Sequence, residues 1–150
     1  MSARKAIGSV LASVAIAGTS LMVLSAPAHA AAPPATSTET LKNSALGKCL
    51  DADFTDSVTT APCNGGNYQK WYVSGTDSRQ IRNVATGQCL TTGSDSNVYT
   101  RTCNGTSIQR WNIKANFHLQ NVTTGRYLDA NAGGSVYTSS WNDGNYQVWW

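Results

Sequence analysis

Few side chains in this chain are equipped for acid–base or metal chemistry. The 150 residues include two histidines, of which only His118 lies outside the first 30 residues, and the single glutamate is Glu39. A Ser-His-Asp triad would therefore depend on His118, and a zinc site would need the four cysteines. The residue types favour binding through neutral polar groups over catalysis.

Charged residues are also scarce. They make up 13% of the chain, with 11 Lys+Arg against 8 Asp+Glu and a net charge of +3, whereas soluble proteins average about 25% charged residues. The polarity comes instead from Asn, Thr, Ser, Gln and Gly. Because the basic residues do not cluster, the sequence shows no electrostatic footprint for nucleic acid.

The first thirty residues have the pattern of a secretory signal peptide. Two basic residues precede an uncharged apolar stretch, and Ala28-His29-Ala30 matches a small-x-small cleavage site. A membrane anchor is the alternative, but Gly, Ser and Thr residues dilute the stretch. We expect a secreted, extracellular protein in which residues 1–30 are removed and residues 31–40 form a disordered lead-in.

The rest of the chain repeats one unit three times. Segments of 29 residues that begin at Asn43, Asn83 and Asn121 align without a gap and are identical in eight columns. One invariant column is the asparagine of Asn64, Asn104 and Asn142. Two others form a Gln-x-Trp sequence: Gln69 and Trp71, Gln109 and Trp111, Gln147 and Trp149. Such a period indicates three copies of one supersecondary unit.

Each unit is predicted to consist of short β-strands. Runs rich in Val, Thr, Tyr and Trp alternate with Gly, Asn and Asp turns, and no helical period follows residue 40. In the repeated Val-x-Thr, the Val and Thr share one face of a strand and the residue between them faces solvent. Closure around a three-fold axis would bury the three tryptophans together and remove the sheet edges.

The cysteines follow the repeat. The first and second units hold cysteine in the same two columns, and of the three possible pairings the symmetry selects Cys49–Cys63 and Cys89–Cys103. Secretion favours disulfides, whereas the alternative, a four-cysteine zinc site, lacks any closely spaced Cys pair. In the third unit Tyr127 and Trp141 occupy these columns, and we expect this aromatic pair to fill the same space.

The Gln-x-Trp sequences, with Gly-x-Cys-Leu near the start of two units, resemble the ricin-B type β-trefoil lectins. The resemblance covers residues 41–150 and implies an all-β trefoil with pseudo-three-fold symmetry and repeats at 41–73, 81–113 and 119–150. It implies that the tryptophans of Gln-x-Trp pack in the barrel core. It also implies that the glutamines brace a turn.

A narrower resemblance is to the actinohivin-like mannose-binding lectins of actinomycetes, carried by Gly-x-Cys-Leu-Asp, Val-Tyr-Thr and Cys-Asn-Gly-Gly-Asn-Tyr-Gln-x-Trp. In that family four groups hold a terminal α1,2-linked mannose. They are the Asp after Cys-Leu, the Tyr of Val-Tyr-Thr, the Asn after the second Cys column and the Tyr before Gln-x-Trp.

The three units match that set to different degrees. The third unit keeps all four residues, namely Asp129, Tyr137, Asn142 and Tyr146. The first keeps Asp51, Asn64 and Tyr68, with Thr59 in the first tyrosine column. The second keeps Tyr99 and Asn104, with Thr91 and Ile108 in the other two columns.

These residue types suit a sugar. A carboxylate accepts hydroxyls in charge-assisted bonds, an amide both donates and accepts, and a tyrosine ring covers an apolar C–H face. Structural roles stay open beside these: the invariant asparagines are also turn formers, and Asp51 and Asp129 are also candidate turn caps.

We therefore expect a non-enzymatic lectin for the terminal mannose of high-mannose type glycans. It would bind glycans or glycoproteins without a cofactor or metal, as a monomer whose several sites raise the apparent affinity. Neither nucleic acid binding nor membrane insertion is expected. A glycosidase would need two carboxylates near each other, but the symmetry places Asp51 and Asp129 in different units.

Two alternatives are a module for polysaccharides or galactosides and a β-trefoil scaffold that binds proteins, such as a protease inhibitor. Galactose binders of the ricin type carry an aromatic residue and an asparagine in columns that here hold other residues. A protein-binding scaffold would use a long variable loop, and the sequence has only short connectors.

Overall fold

Several strands coincide with the runs rich in Val, Thr, Tyr and Trp, as predicted. The computed structural model describes residues 37–150, which form an all-β domain; the expected signal peptide lies outside this range. The strands are β1 (Ser37–Glu39), β2 (Cys49–Ala52), β3 (Val58–Ala61), β4 (Trp71–Ser74), β5 (Arg79–Asn83), β6 (Cys89–Thr92), β7 (Val98–Arg101), β8 (Arg110–Lys114), β9 (His118–Asn121), β10 (Tyr127–Ala130) and β11 (Val136–Ser139). Single 3-10 turns lie at Asn67–Gln69, Ser107–Gln109, Ala115–Phe117 and Asn145–Gln147.

The outer strands of the repeats pair into a continuous antiparallel wall. The order β1-β4-β5-β8-β9 runs through it, and a bridge between Asn43 and Trp149 joins the last repeat to the first. Each tryptophan of Gln-x-Trp opposes the first asparagine of the following unit, as Trp71 does with Asn83 and Trp111 with Asn121. The wall therefore closes on itself.

Three β-hairpins, β2–β3, β6–β7 and β10–β11, pair in the same register. Their invariant threonines bond the hairpins to one another in a cycle. The backbone N–H of Thr60 donates to the carbonyl of Gly134, that of Thr100 to Asp56 and that of Thr138 to Ser96, at 2.8 to 2.9 Å. The accepting residues have positive φ, which turns each carbonyl toward its neighbour.

The three tryptophans lie in the centre of the core. Trp71, Trp111 and Trp149 are 1% exposed or less. Each indole N–H donates to a backbone carbonyl of its own repeat, those of Leu50, Leu90 and Leu128, at 3.0 to 3.1 Å. Burial of this ring is therefore compatible with its polar N–H, which otherwise would be left without a partner.

A buried asparagine at the start of each repeat links it to the preceding repeat. The Asn83 amide donates to the carbonyl of Tyr68 at 2.7 Å, and its Oδ1 accepts the N–H groups of Ala85 and Thr86 at 3.0 and 3.1 Å. Asn121 and Asn43 make the same bonds, to Ile108 and Tyr146. These side chains close the inter-repeat turns in a ring.

The prediction that residues 31–40 form a disordered lead-in is wrong for Ser37–Glu39, because these residues form a strand. Glu39 opposes Trp71 as Arg79 opposes Trp111, so β1 is the first half of the opening strand of repeat one. Its side chains are exposed, and the pairing uses backbone groups. A polar sequence therefore gives no signal for it.

The two disulfides, Cys49–Cys63 and Cys89–Cys103, are those that the symmetry selected. In the third repeat the rings of Tyr127 and Trp141 lie 5.0 Å apart between centroids. The all-β class and both bridges are thereby confirmed.

Replacing Asn83 by alanine is expected to destabilise the fold by about 3 kcal/mol, because three buried hydrogen bonds of about 1 kcal/mol each are removed. The measurement is urea denaturation followed by tryptophan fluorescence. Asn67 is the control, since it is exposed and its side chain makes no hydrogen bond within residues 37–150. Asn67→Ala should change stability by less than about 0.5 kcal/mol. Equal small losses in both variants would contradict the linking role.

Removing one bridge by Cys49→Ser with Cys63→Ser should lower the free energy of unfolding by about 3 kcal/mol, since a closed loop of about 15 residues is released in the unfolded state. The same denaturation experiment measures it. A midpoint equal to that of the unaltered protein would show that the bridge does not stabilise the fold.

Candidate functional site

The invariant glutamine holds together the parts of each repeat that carry the predicted site residues. In the third repeat, Gln147 Oε1 accepts the backbone N–H of Asn142 at 3.2 Å, and Nε2 donates to the carbonyl of Ser140 and to Asp129 Oδ2 at 2.8 and 3.0 Å. The loop before the Gln-x-Trp sequence is thereby fixed against strand β10. Gln69 makes the equivalent bonds in the first repeat.

The hairpin register brings two of the predicted columns together. Asp129 lies directly opposite Tyr137, so their side chains share one face of the hairpin. The same register places Asp51 opposite Thr59 and Thr91 opposite Tyr99. Spacing along the sequence alone does not show this contact.

In the third repeat the structure brings all four predicted residues into one group. Asn142 Nδ2 donates to Asp129 Oδ2 at 3.3 Å, and the Tyr137 hydroxyl donates to the carbonyl of Ala130 at 3.4 Å. Tyr146 is 38% exposed and precedes the glutamine that contacts Asp129. Asp129 thus lies opposite Tyr137 and accepts from Asn142, and Tyr146 is near enough to Tyr137 to act on it electrostatically.

The Asp129 carboxylate is more buried than a sugar-contacting group would suggest, at 2% exposure. Oδ2 accepts Ser139 Oγ at 2.6 Å in addition to Asn142 and Gln147, and Oδ1 accepts the N–H of Ala130 at 2.8 Å. Since a carboxylate has about four acceptor positions, Oδ2 is occupied and Oδ1 keeps capacity for one more donor. Asp129 therefore positions Asn142 and Ser139 whether or not a ligand is present.

The pKa of Tyr137 is raised by its surroundings in this group. Burial raises the pKa of Tyr137 above its ordinary value of 10.0, and the nearby Asp129 and Tyr146 raise it further. A phenolate beside a carboxylate and a second phenol is disfavoured by like charge. The hydroxyl is thus neutral, able both to donate and to accept, throughout the physiological pH range.

The first repeat contains a similar but altered group. Asp51 is half-buried, and its Oδ2 accepts Gln69 Nε2 at 2.8 Å. Tyr68 is 39% exposed, and the ring of Phe54 lies edge-on to it at 5.5 Å. Phe54 is a member of this group that the sequence analysis missed; its signal was an aromatic residue in the β2–β3 turn, where the aligned repeats have Ser94 and Ala132.

The second repeat does not assemble the set. Thr91 is buried, and its hydroxyl is used by Cys89 and Gln109. The guanidinium carbon of Arg101 lies 5.2 Å from the centroid of the Tyr99 ring, and Arg101 also pairs with Asp56 at 3.3 Å. The face of Tyr99 is thus partly covered.

The asparagines after the second cysteine column form turns. Oδ1 of Asn64, Asn104 and Asn142 accepts the N–H two residues further on, at 2.7 to 3.1 Å. All three residues are exposed, and in Asn64 and Asn104 no partner of Nδ2 is recorded among residues 37–150. The turn role is established, and it leaves the amide nitrogens of these two residues available.

No group of three or more His, Cys, Asp or Glu side chains comes together as a metal site among residues 37–150. In the same residues no helix has the length and apolarity to cross a bilayer.

Comparison with known families identifies this arrangement. The profile of the ricin-type β-trefoil lectin domain matches residues 37–149. The chain belongs to this family. The match begins at Ser37, in agreement with the extra strand β1.

Solved structures share the fold at low sequence identity. A designed three-fold symmetric protein, ThreeFoil, has a TM-score of 0.67 at 21% identity, over 75% of this chain and 95% of its own. The β-trefoil lectin of the Vibrio vulnificus hemolysin/cytolysin, with N-acetyl-D-lactosamine bound, gives 0.64 at 24%, over 77% and 93%. An exo-β-1,3-galactanase from Clostridium thermocellum gives 0.69 at 24%, over 79% of this chain but 30% of the enzyme. The predicted β-trefoil is confirmed.

The pKa of Tyr137 should fall when Asp129 is replaced by asparagine, because the loss of the negative charge removes a cause of its elevation. Titration of the ring Cζ by carbon NMR measures it, with a midpoint above 10.0 in the unaltered protein. Asp143→Asn, an exposed aspartate on the following loop, is the control. An unchanged midpoint in Asp129→Asn would show that the two groups do not interact.

Proposed function

We propose that this protein is a secreted, non-enzymatic lectin that binds the terminal mannose of high-mannose type glycans. The observation that supports the proposal is the group in the third repeat, where Asp129 lies opposite Tyr137, accepts hydrogen bonds from Asn142 and Gln147, and Tyr146 precedes that glutamine. These are the four residue types of the actinohivin-like lectins, in matching positions. Secretion rests on the signal-peptide pattern of residues 1–30.

The group is suited to a neutral sugar. The exposed ring of Tyr146 offers an apolar face for sugar C–H groups, and the neutral hydroxyl of Tyr137 serves as both donor and acceptor. Oδ1 of Asp129 would accept one hydroxyl at the bottom of the site. Because the polar groups are already held by hydrogen bonds, little side-chain entropy is lost when the ligand binds.

The first repeat supplies a second site in this proposal. Asp51 is more accessible than Asp129, and the edge-on pair of Phe54 and Tyr68 provides the aromatic wall in place of a tyrosine at Thr59. The second repeat contributes least, since its carboxylate is absent and Arg101 covers Tyr99. Two sites on one monomer would raise the avidity for a branched glycan.

An enzymatic role is not part of the proposal. The carboxylates of the candidate sites lie in different repeats, and each is bonded to the glutamine of its own repeat. The two carboxylates therefore do not form the facing pair that glycoside hydrolysis requires. A galactoside specificity has less support, because the columns typical of galactose binders hold other residues.

Replacing Tyr146 by alanine should weaken binding of α1,2-linked mannobiose to the third-repeat site up to about tenfold, because an aromatic wall worth about 1 kcal/mol is removed. The matched control is Ile108→Ala, which truncates the same column in the second repeat and should leave binding unchanged. Isothermal titration with the monovalent disaccharide measures both variants without avidity.

A glycan array on the secreted protein tests the specificity itself. The proposal expects signal on mannose-terminated glycans that Tyr146→Ala diminishes. Signal confined to galactose-terminated glycans would show that the ligand is galactose and not mannose. An array with no signal on any glycan would refute the lectin function.

A further inference from the structure

A cleft of about 550 Å³ opens beside the third repeat. Its lining consists of Lys114, Ala115, Asn116, His118, Tyr127 and Trp141. None of these residues belongs to the group around Asp129. The volume falls within the roughly 300–1,000 Å³ that small-molecule sites occupy.

The aromatic wall of the cleft exists only in the third of the repeats. Tyr127 and Trp141 occupy the columns that hold disulfides in the other two, and His118 aligns with Gln80 and Thr40. The His118 ring lies edge-on to the indole at 4.4 Å, and Tyr127 lies 5.0 Å from it between centroids. Despite these contacts Trp141 remains 48% exposed, so a flat apolar surface faces the cleft.

His118 fixes this wall in place. Its Nδ1 lies 2.9 Å from the carbonyl of Gln147, and since a carbonyl can only accept, Nδ1 carries the proton and donates. The ring is buried at 4% exposure. The indole of Trp141 therefore rests on a support that the barrel itself holds rigid.

The polar side of the cleft is cationic. Lys114 is exposed. The ion pair within residues 37–150 joins Arg101 to Asp56, and Lys114 has no carboxylate partner among these residues. No acidic side chain lines the cleft. Asn116 is also exposed and adds an amide to the lining of the cleft. A cation without a carboxylate partner in a cleft that also has an aromatic wall favours an anionic ligand.

We propose that this cleft is a second carbohydrate site, specific for an acidic pyranose of the uronic acid type. The C–H face of the sugar stacks on Trp141, its carboxylate pairs with the Lys114 ammonium group, and the Asn116 amide bonds a neighbouring hydroxyl. The site contrasts with the group around Asp129, whose own carboxylate disfavours an anion. The inference uses separate residues and does not depend on the mannose proposal.

The test is a titration of the nitrogen-15 labelled mature protein with three methyl uronides, those of glucuronic, galacturonic and mannuronic acid. Each is compared with its neutral methyl hexoside. At least one uronide should shift the indole N–H of Trp141 and the amide of Asn116, and Lys114→Ala should raise its Kd about tenfold, the worth of one charge-assisted bond. Lys48→Ala, which removes an ammonium group in the first repeat, should leave the Kd unchanged.

Three results would overturn the proposal: no shift at Trp141 with any uronide, equal affinity for the neutral hexoside, or a Kd that Lys114→Ala does not change. α1,2-Linked mannobiose, added to the same samples, reports the Tyr146 site separately. Failure of one site is thereby distinguishable from failure of the other. Asn116→Gly, which tolerates the positive φ of 61° at this position, checks that the loop survives the loss of the amide.

Discussion

The closed ring of asparagine side chains is the interaction on which the rest of the domain depends. Asn43, Asn83 and Asn121 each bind a carbonyl of the preceding repeat and cap two N–H groups of their own turn. A β-wall with an unpaired edge exposes backbone groups to other chains, and this ring, with the bridge from Asn43 to Trp149, removes the edge. The buried tryptophans can then pack around one axis.

The candidate sites are also held together by a few buried polar side chains. Each invariant glutamine ties a loop to a hairpin, and the residues it holds are those that the family resemblance marks as ligands. In the third repeat the carboxylate of Asp129 serves the fold and the site together, because it orders Asn142 and Ser139 while Oδ1 keeps acceptor capacity. A site of this kind is preorganised without metal ligands or ion pairs, which agrees with a chain in which 13% of residues are charged.

Divergence among the repeats makes the three candidate sites structurally different. The first repeat replaces one tyrosine by the pair of Phe54 and Tyr68, whereas the second covers Tyr99 with Arg101. The third exchanges its disulfide for Tyr127 and Trp141 and thereby opens a cleft beside His118. Each change leaves the asparagine, glutamine and tryptophan columns intact, so the fold tolerates it.

The sequence by itself determined the three repeats, the all-β class and both disulfide pairings, because units that align without a gap and share eight identical columns adopt the same local structure. It also predicted the polar residues that meet around Asp129 in the third repeat. The tertiary structure decided the rest: that Ser37–Glu39 is a strand, that Asp129 is buried, that Phe54 meets Tyr68, and that His118 supports Trp141. The strand Ser37–Glu39 pairs through backbone groups and therefore carries no side-chain pattern. The burial of Asp129 and the contacts of Phe54 and His118 depend on which residues the closed barrel brings together. Both effects arise only once the chain has folded.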